Sequence, residues 1–147
     1  MLSKSCQEAI NAQVNAEFWS AYLYLSMSVD ASDRGDKGIA NWFMVQFKEE
    51  QAHAQIFMNY LLSRGCKVEL APIAEVKTSW NSAIEAFKET LEHEKKVTSL
   101  IHNLYDIAVE DKDYASQSML KWFIDEQVEE EESAQDIIDQ LEKVDDS

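Results

Sequence analysis

One proline, Pro72, and three glycines, Gly35, Gly38 and Gly65, are the only chain breakers in 147 residues. Many short strands would need many turns, so this scarcity predicts a few long helices and an all-α chain. The length suits one domain, residues 1–147, and a hydrophobic content of 46% is enough to build its core. A first helix is expected from about Ser3 or Ser5 to about Ser32, with Ser5 and Glu8 at capping-box spacing. Asp33 to Gly38 reads as a turn. Asp36 then caps a second helix running from about Lys37 to Arg64 and stopped by Gly65. A third helix begins near Ser79 or Ser82 and runs to about Glu110, and a fourth follows the polar turn Glu110-Asp111-Lys112-Asp113. The segment from about Cys66 to Thr78 holds the proline and no helical period. Extended at about 3.3 Å per residue it reaches roughly 43 Å, the length of a helix of about 28 residues. It can therefore return along a whole helix, which predicts a four-helix bundle with one long crossover between the second and third helices.

Each predicted helix carries an apolar stripe with a polar interruption near its middle. The first reads Ile10, Val14, Glu17, Ala21, Tyr24 or Leu25, Ser28, and the second Ile39, Phe43, Gln46, Glu50, His53, Phe57, Tyr60 or Leu61. The third reads Trp80, Ile84, Phe87, Leu91, Glu94, Thr98, Ile101, Tyr105, Ala108. The fourth reads Met119 or Leu120, Phe123, Gln127, Glu130, Ala134, Ile137 or Ile138, Leu141. Glu50 and His53, three residues apart, share a helix face and can reach one point. Measured from the nearer turn at about 1.5 Å per residue, Glu17, Glu50, His53, Glu94, Gln127 and Glu130 all lie at a depth of roughly 22 to 29 Å. The interruptions thus fall at one level. Ionised carboxylates enclosed by apolar side chains cost several kcal/mol each unless paired, and few cationic residues are placed to pair with them. Metal cations supply the missing charge, and carboxylate oxygens with one imidazole suit Fe(II).

The charge balance points the same way. Thirteen Lys and Arg against 28 Asp and Glu leave a formal charge of −15, which makes nucleic acid and anionic membranes poor partners and cations good ones. No apolar run approaches membrane-spanning length, and the polar start Met1-Leu2-Ser3-Lys4-Ser5 lacks a signal-peptide core, so a cytoplasmic location is expected. Cys6 and Cys66 have neither CxxC spacing nor a neighbouring histidine and are expected as reduced thiols, while His93 and His102 are expected at the surface.

Glu17 with Tyr24, the run Glu49-Glu50-Gln51-Ala52-His53, Glu94 and the run Trp122 to Glu130 together resemble a bacterial non-haem ferritin over essentially the whole chain. The resemblance implies an iron storage protein with ferroxidase activity, which oxidises Fe(II) with dioxygen or hydrogen peroxide and stores ferric mineral in a hollow homo-oligomer, of 24 chains by family precedent. It implies site A from Glu17, Glu50 and His53, with Glu50 bridging to site B, completed by Glu94 and Glu130. Gln127 would act beside site A through hydrogen bonding or water, Tyr24 would serve in redox chemistry or as a core aromatic, and Glu49, Glu126 and Glu129 would form a third iron site. Gln51 stands where a bacterioferritin has its haem-ligating methionine, so no haem is expected. The alternative is a rubrerythrin-like or other di-iron oxidase, which would carry a second ExxH where this chain has Gln127 and Glu130. Ferritins usually add a short fifth helix after the fourth, and this chain ends at Ser147. The acidic pair that lines three-fold pores in animal ferritins falls on Gln117 and Leu120.

Overall fold

The computed structural model describes residues Met1–Asp145, and its described residues form four α-helices with no strand. They are α1 (Lys4–Asp33), α2 (Lys37–Ser63), α3 (Ala83–Glu110) and α4 (Tyr114–Asp145). The chain divides into two compact units, Met1–Trp80 and Asn81–Ser147, each built on a helical hairpin.

In the first unit, α1 packs on α2. Of the two expected starts, Ser3 is the cap of α1, its hydroxyl accepting from the Cys6 amide at 3.0 Å, while Ser5 lies inside the helix. At the other end Asp36 N–H reaches Ala31 O at 2.9 Å and Gly35 N–H reaches Ser32 O at 3.0 Å, with Gly35 at φ 79°. This paired closure satisfies the last carbonyls and requires a left-handed residue, which glycine supplies without Cβ strain. Gly65, at φ 73°, closes α2 by the same pair of bonds, from Cys66 to Leu61 and from Gly65 to Leu62. The predicted stripes are buried at Ile10, Val14, Glu17, Ala21, Tyr24 and Ser28 on α1, and at Phe43, Gln46, Glu50, His53, Phe57 and Leu61 on α2.

The segment after α2 runs along α1, held by α1 side chains that bond its backbone. Asn11 donates to Lys67 O at 3.1 Å and accepts from Glu69 N–H at 2.8 Å. Trp19 donates to Glu75 O at 3.3 Å, Ser26 to Lys77 O at 2.7 Å and Arg34 to Trp80 O at 3.3 Å. Of the two expected starts of the third helix, Ser82 is the one found, and the placing of Trp80 on its inward stripe is corrected. Trp80 belongs to the connection, where its N–H donates to the Asp30 carboxylate, its ring is buried and Lys77 sits over it at 5.4 Å. Side-chain packing, not helical period, places that aromatic.

In the second unit α3 packs on α4. Ser82 caps α3 by accepting from Glu85 N–H at 3.2 Å, and Asp113 accepts from Ser116 N–H at 3.1 Å at the start of α4. The turn between them repeats the closure of α1 and α2, with bonds from Asp113 to Ala108 and from Lys112 to Val109. Its left-handed residue is Lys112, at φ 54°. Phe87, Glu94, Ile101 and Ala108 are buried as predicted on α3, but Ala86, Thr90, Val97 and Leu104 are buried too, while Leu91, Thr98 and Tyr105 are only half-buried. On α4 the buried row is Leu120, Phe123, Gln127, Glu130, Ala134 and Ile138.

Candidate metal centre

The first unit holds one half of the predicted constellation. The α1 stripe carries Glu17 inward and the i, i+3 spacing on α2 does the same for Glu50 and His53. All three are at most 5% exposed, and one donor atom from each lies within 4.8 Å of the others. His53 Nδ1 is 3.5 Å from Glu50 Oε2 and 3.8 Å from Glu17 Oε2. Gln13, one turn before Glu17, donates from Nε2 to Glu17 Oε1 at 3.0 Å. The other oxygen, Glu17 Oε2, is buried and accepts no hydrogen bond. A buried carboxylate oxygen without a donor is costly, and here it faces an imidazole and a second carboxylate. Burial alone raises the Glu17 carboxyl pKa, but interactions with Glu50 and His53 and the Gln13 hydrogen bond outweigh it and hold the group below the ordinary carboxylate range. Glu17 is thus held ready as an anion. One imidazole nitrogen and carboxylate oxygens are a donor set that a divalent first-row cation fits.

The second unit holds the other half. Glu94, Gln127 and Glu130 are buried at 2%, 3% and 8% exposure. Gln127 Nε2 donates across the α3–α4 seam to Glu94 O at 3.2 Å, Glu94 Oε2 at 3.1 Å and Thr98 Oγ1 at 3.1 Å. Thr98 in turn donates to Glu131 Oε2 at 2.6 Å. The amide of Gln127 thus bonds both the backbone and the carboxylate of Glu94. Gln13, Thr98 as a bonding group, and Glu131 are site contributors that sequence reasoning missed. Their signal was present as i, i+4 spacing from Glu17, Glu94 and Gln127, but polar residues at such spacing are ordinary on any helix.

Tyr24 is fully buried and stacks on Phe43 with centroids 6.1 Å apart. Glu49 lies on α2, while Glu126 is half-buried and Glu129 exposed on α4. Cys6 is buried and Cys66 half-buried, His102 is exposed and His93 half-buried. Leu120 is a core residue, and the half-buried Gln117 donates to the Ala108 carbonyl at 3.4 Å. No helix among the described residues is long and apolar enough to cross a membrane.

Long helical hairpins whose buried faces are interrupted by carboxylates and a histidine define a helical metal-handling protein. Comparison with known proteins makes this specific. The ferritin-like domain family matches residues 7–144. A bacterial non-heme ferritin of Bacteroides fragilis (strain 638R) is 42% identical over 147 residues, covering 100% of this chain and 92% of the relative. One from Staphylococcus aureus (strain USA300) is 41% identical over 146 residues, covering 99% and 88%. Among solved structures, an open pore ferritin from the hyperthermophilic archaeon Archaeoglobus fulgidus matches with a TM-score of 0.97 at 42% identity, over 98% of this chain and 89% of that one. An engineered closed form of the Archaeoglobus fulgidus ferritin gives 0.96 at 42% identity, over 98% and 88%. The chain belongs to the ferritin family. It has the ferritin four-helix bundle with its long crossover between α2 and α3, and it is an iron storage protein.

Proposed function

We propose that this ferritin is a ferroxidase, and that residues 1–147 act as a single domain in which the two half-sites share a pair of iron ions. Fe(II) is the substrate. Glu17, Glu50 and His53 hold the first ion, Glu50 bridges, and Glu94 and Glu130 hold the second. Gln127 keeps the Glu94 carboxylate oriented. The observation that carries this reading is the buried Glu17 Oε2, which faces His53 and Glu50 without a hydrogen-bond donor of its own. Two adjacent ions can each pass one electron to dioxygen or hydrogen peroxide, leaving Fe(III). An all-oxygen second site binds more weakly than one with imidazole, which suits iron that moves on to storage. Glu49, Glu126 and Glu129 form the third, more exposed site, and Tyr24, which is fully buried, acts in redox chemistry.

Self-association into a hollow shell, of 24 chains by family precedent, completes the proposal, with the acidic excess drawing cations and a cytoplasmic location. Stopped-flow measurement of Fe(II) oxidation tests the centre. Glu50→Ala should nearly abolish the fast phase while circular dichroism stays helical, because both ions depend on that carboxylate. A near wild-type rate in that variant would refute the assignment. Sedimentation showing only monomers or dimers would reject the shell.

A further inference from the structure

The four residues Glu94, Thr98, Gln127 and Glu131 form a closed arrangement on the α3–α4 seam, two from each helix at i, i+4 spacing. Its hydrogen bonds have only one consistent direction. Thr98 has a single hydroxyl hydrogen and two acceptors within reach, Glu131 Oε2 at 2.6 Å and Glu94 O at 3.0 Å. The shorter contact is to a carboxylate, and charge-assisted bonds are the shorter and stronger kind, so the hydrogen goes to Glu131. That leaves the Thr98 oxygen as an acceptor towards α4, where Gln127 Nε2 lies at 3.1 Å. Of the two amide hydrogens on Gln127, one is taken by Thr98 and the other by Glu94, through its backbone carbonyl and its Oε2. An amide turned over would set its oxygen against three acceptors.

We propose that Thr98 and Glu131 are positioning residues, which fix the amide orientation of Gln127 and thereby the rotamer of Glu94. The inference rests on the reading of Glu94 as a ligand of the second ion. Glu131 touches no metal in this scheme. It orients a hydroxyl, the hydroxyl orients an amide, and the amide occupies one carboxylate oxygen of Glu94 so that the other is presented to the cation. Partners one step removed from a ligand typically change metal affinity by about 10- to 100-fold. The chain of bonds therefore has an effect confined to one of the two central ions.

The test is equilibrium titration of the metal-free full chain with Co(II), followed by calorimetry and visible absorption, in which binding to the imidazole site and to the all-oxygen site appear as successive steps. Thr98→Val keeps the shape and removes both the donor and the acceptor. It should weaken the second step about tenfold, leave the first step and its absorption spectrum unchanged, and be rescued by Thr98→Ser. Glu131→Ala provides an independent variant and should shift the same step. Equal weakening of both steps, or no rescue by serine, would mean general loosening of the seam and would overturn the proposal. Unchanged affinity in Thr98→Val, with the second step lost in Glu94→Ala, would overturn it while leaving the site intact. Both steps surviving in Glu94→Ala would show instead that the reading of Glu94 as a ligand has failed.

Discussion

Replacing Gln127 by glutamate changes one NH2 to an oxygen at constant shape, and the geometry sets the size of the effect. The new oxygen would stand about 3.1 Å from Glu94 Oε2, where two unit charges at an effective dielectric of about 20 repel by about 5 kcal/mol. The folded chain escapes by binding a proton between the two carboxyls, which raises the pKa of the introduced group above its unfolded value of about 4.3. Proton uptake from pH 7 costs about 1.4 kcal/mol per unit, so the penalty at pH 7 is capped at about 3.7 kcal/mol. The folded state then holds more protons than the unfolded one, and stability falls as pH rises. Relative to wild type, Gln127→Glu should be nearly neutral near pH 4 and progressively destabilised towards pH 7, losing about 1.4 kcal/mol per pH unit across that window. Thermal unfolding of the metal-free proteins from pH 4.5 to 8 measures the difference, and saturating Zn(II) should shrink it. A gap that is independent of pH would refute the reasoning, because it would mean that the amide does not face an ionised Glu94.

Glu17→Gln should show the opposite slope: the folded pKa of Glu17 is depressed, so its contribution is present above the unfolded pKa and lost as pH falls through the folded one. Unfolding of the metal-free variant should therefore approach wild type on acidification, and a widening gap would contradict the site's electrostatics. In crystals soaked anaerobically with graded Fe(II) or Zn(II), anomalous peaks should appear first at Glu17, Glu50 and His53 and then at Glu94 and Glu130, since imidazole strengthens binding of first-row metals. Peaks at Glu49, Glu126 and Glu129 should follow last, and the reverse order would show that His53 has been misread. At the helix ends, Lys112→Gly should stabilise by about 0.5–1 kcal/mol, the relief of roughly 1–2 kcal/mol of left-handed strain less the flexibility glycine adds to the unfolded chain. Gly35→Ala, at the same position of the same closure, should destabilise, and equal signs in calorimetry would exclude the strain account.

The helices and the buried polar residues were legible because both rest on period. Glu17, Glu50, His53, Glu94, Gln127 and Glu130 each interrupt an apolar row, and all six are buried. What stayed hidden depends on partners that period does not report. Trp80 has the right spacing for the α3 stripe, yet Asp30 and Lys77 keep it in the connection. Lys112 takes the place that glycine holds at two other turns, and nothing about a lysine in a polar run announces a positive φ. Gln13, Thr98 and Glu131 look like any polar positions until the neighbouring helix shows what they bond.

The connection after α2 is held almost entirely through its backbone, by side chains that belong to α1. Its tolerance is therefore a matter of length more than of chemistry. From Asn11 to Arg34 the helix rises roughly 35 Å at about 1.5 Å per residue, while the chain from Lys67 to Trp80 can span roughly 43 Å at about 3.3 Å per residue. The slack of roughly 8 Å equals about two residues of extended chain. Most side chains between the tether points are exposed and can vary more than their number can, and one deletion there can be absorbed. Three would draw the segment taut and pull Trp80 from its seat beside Asp30.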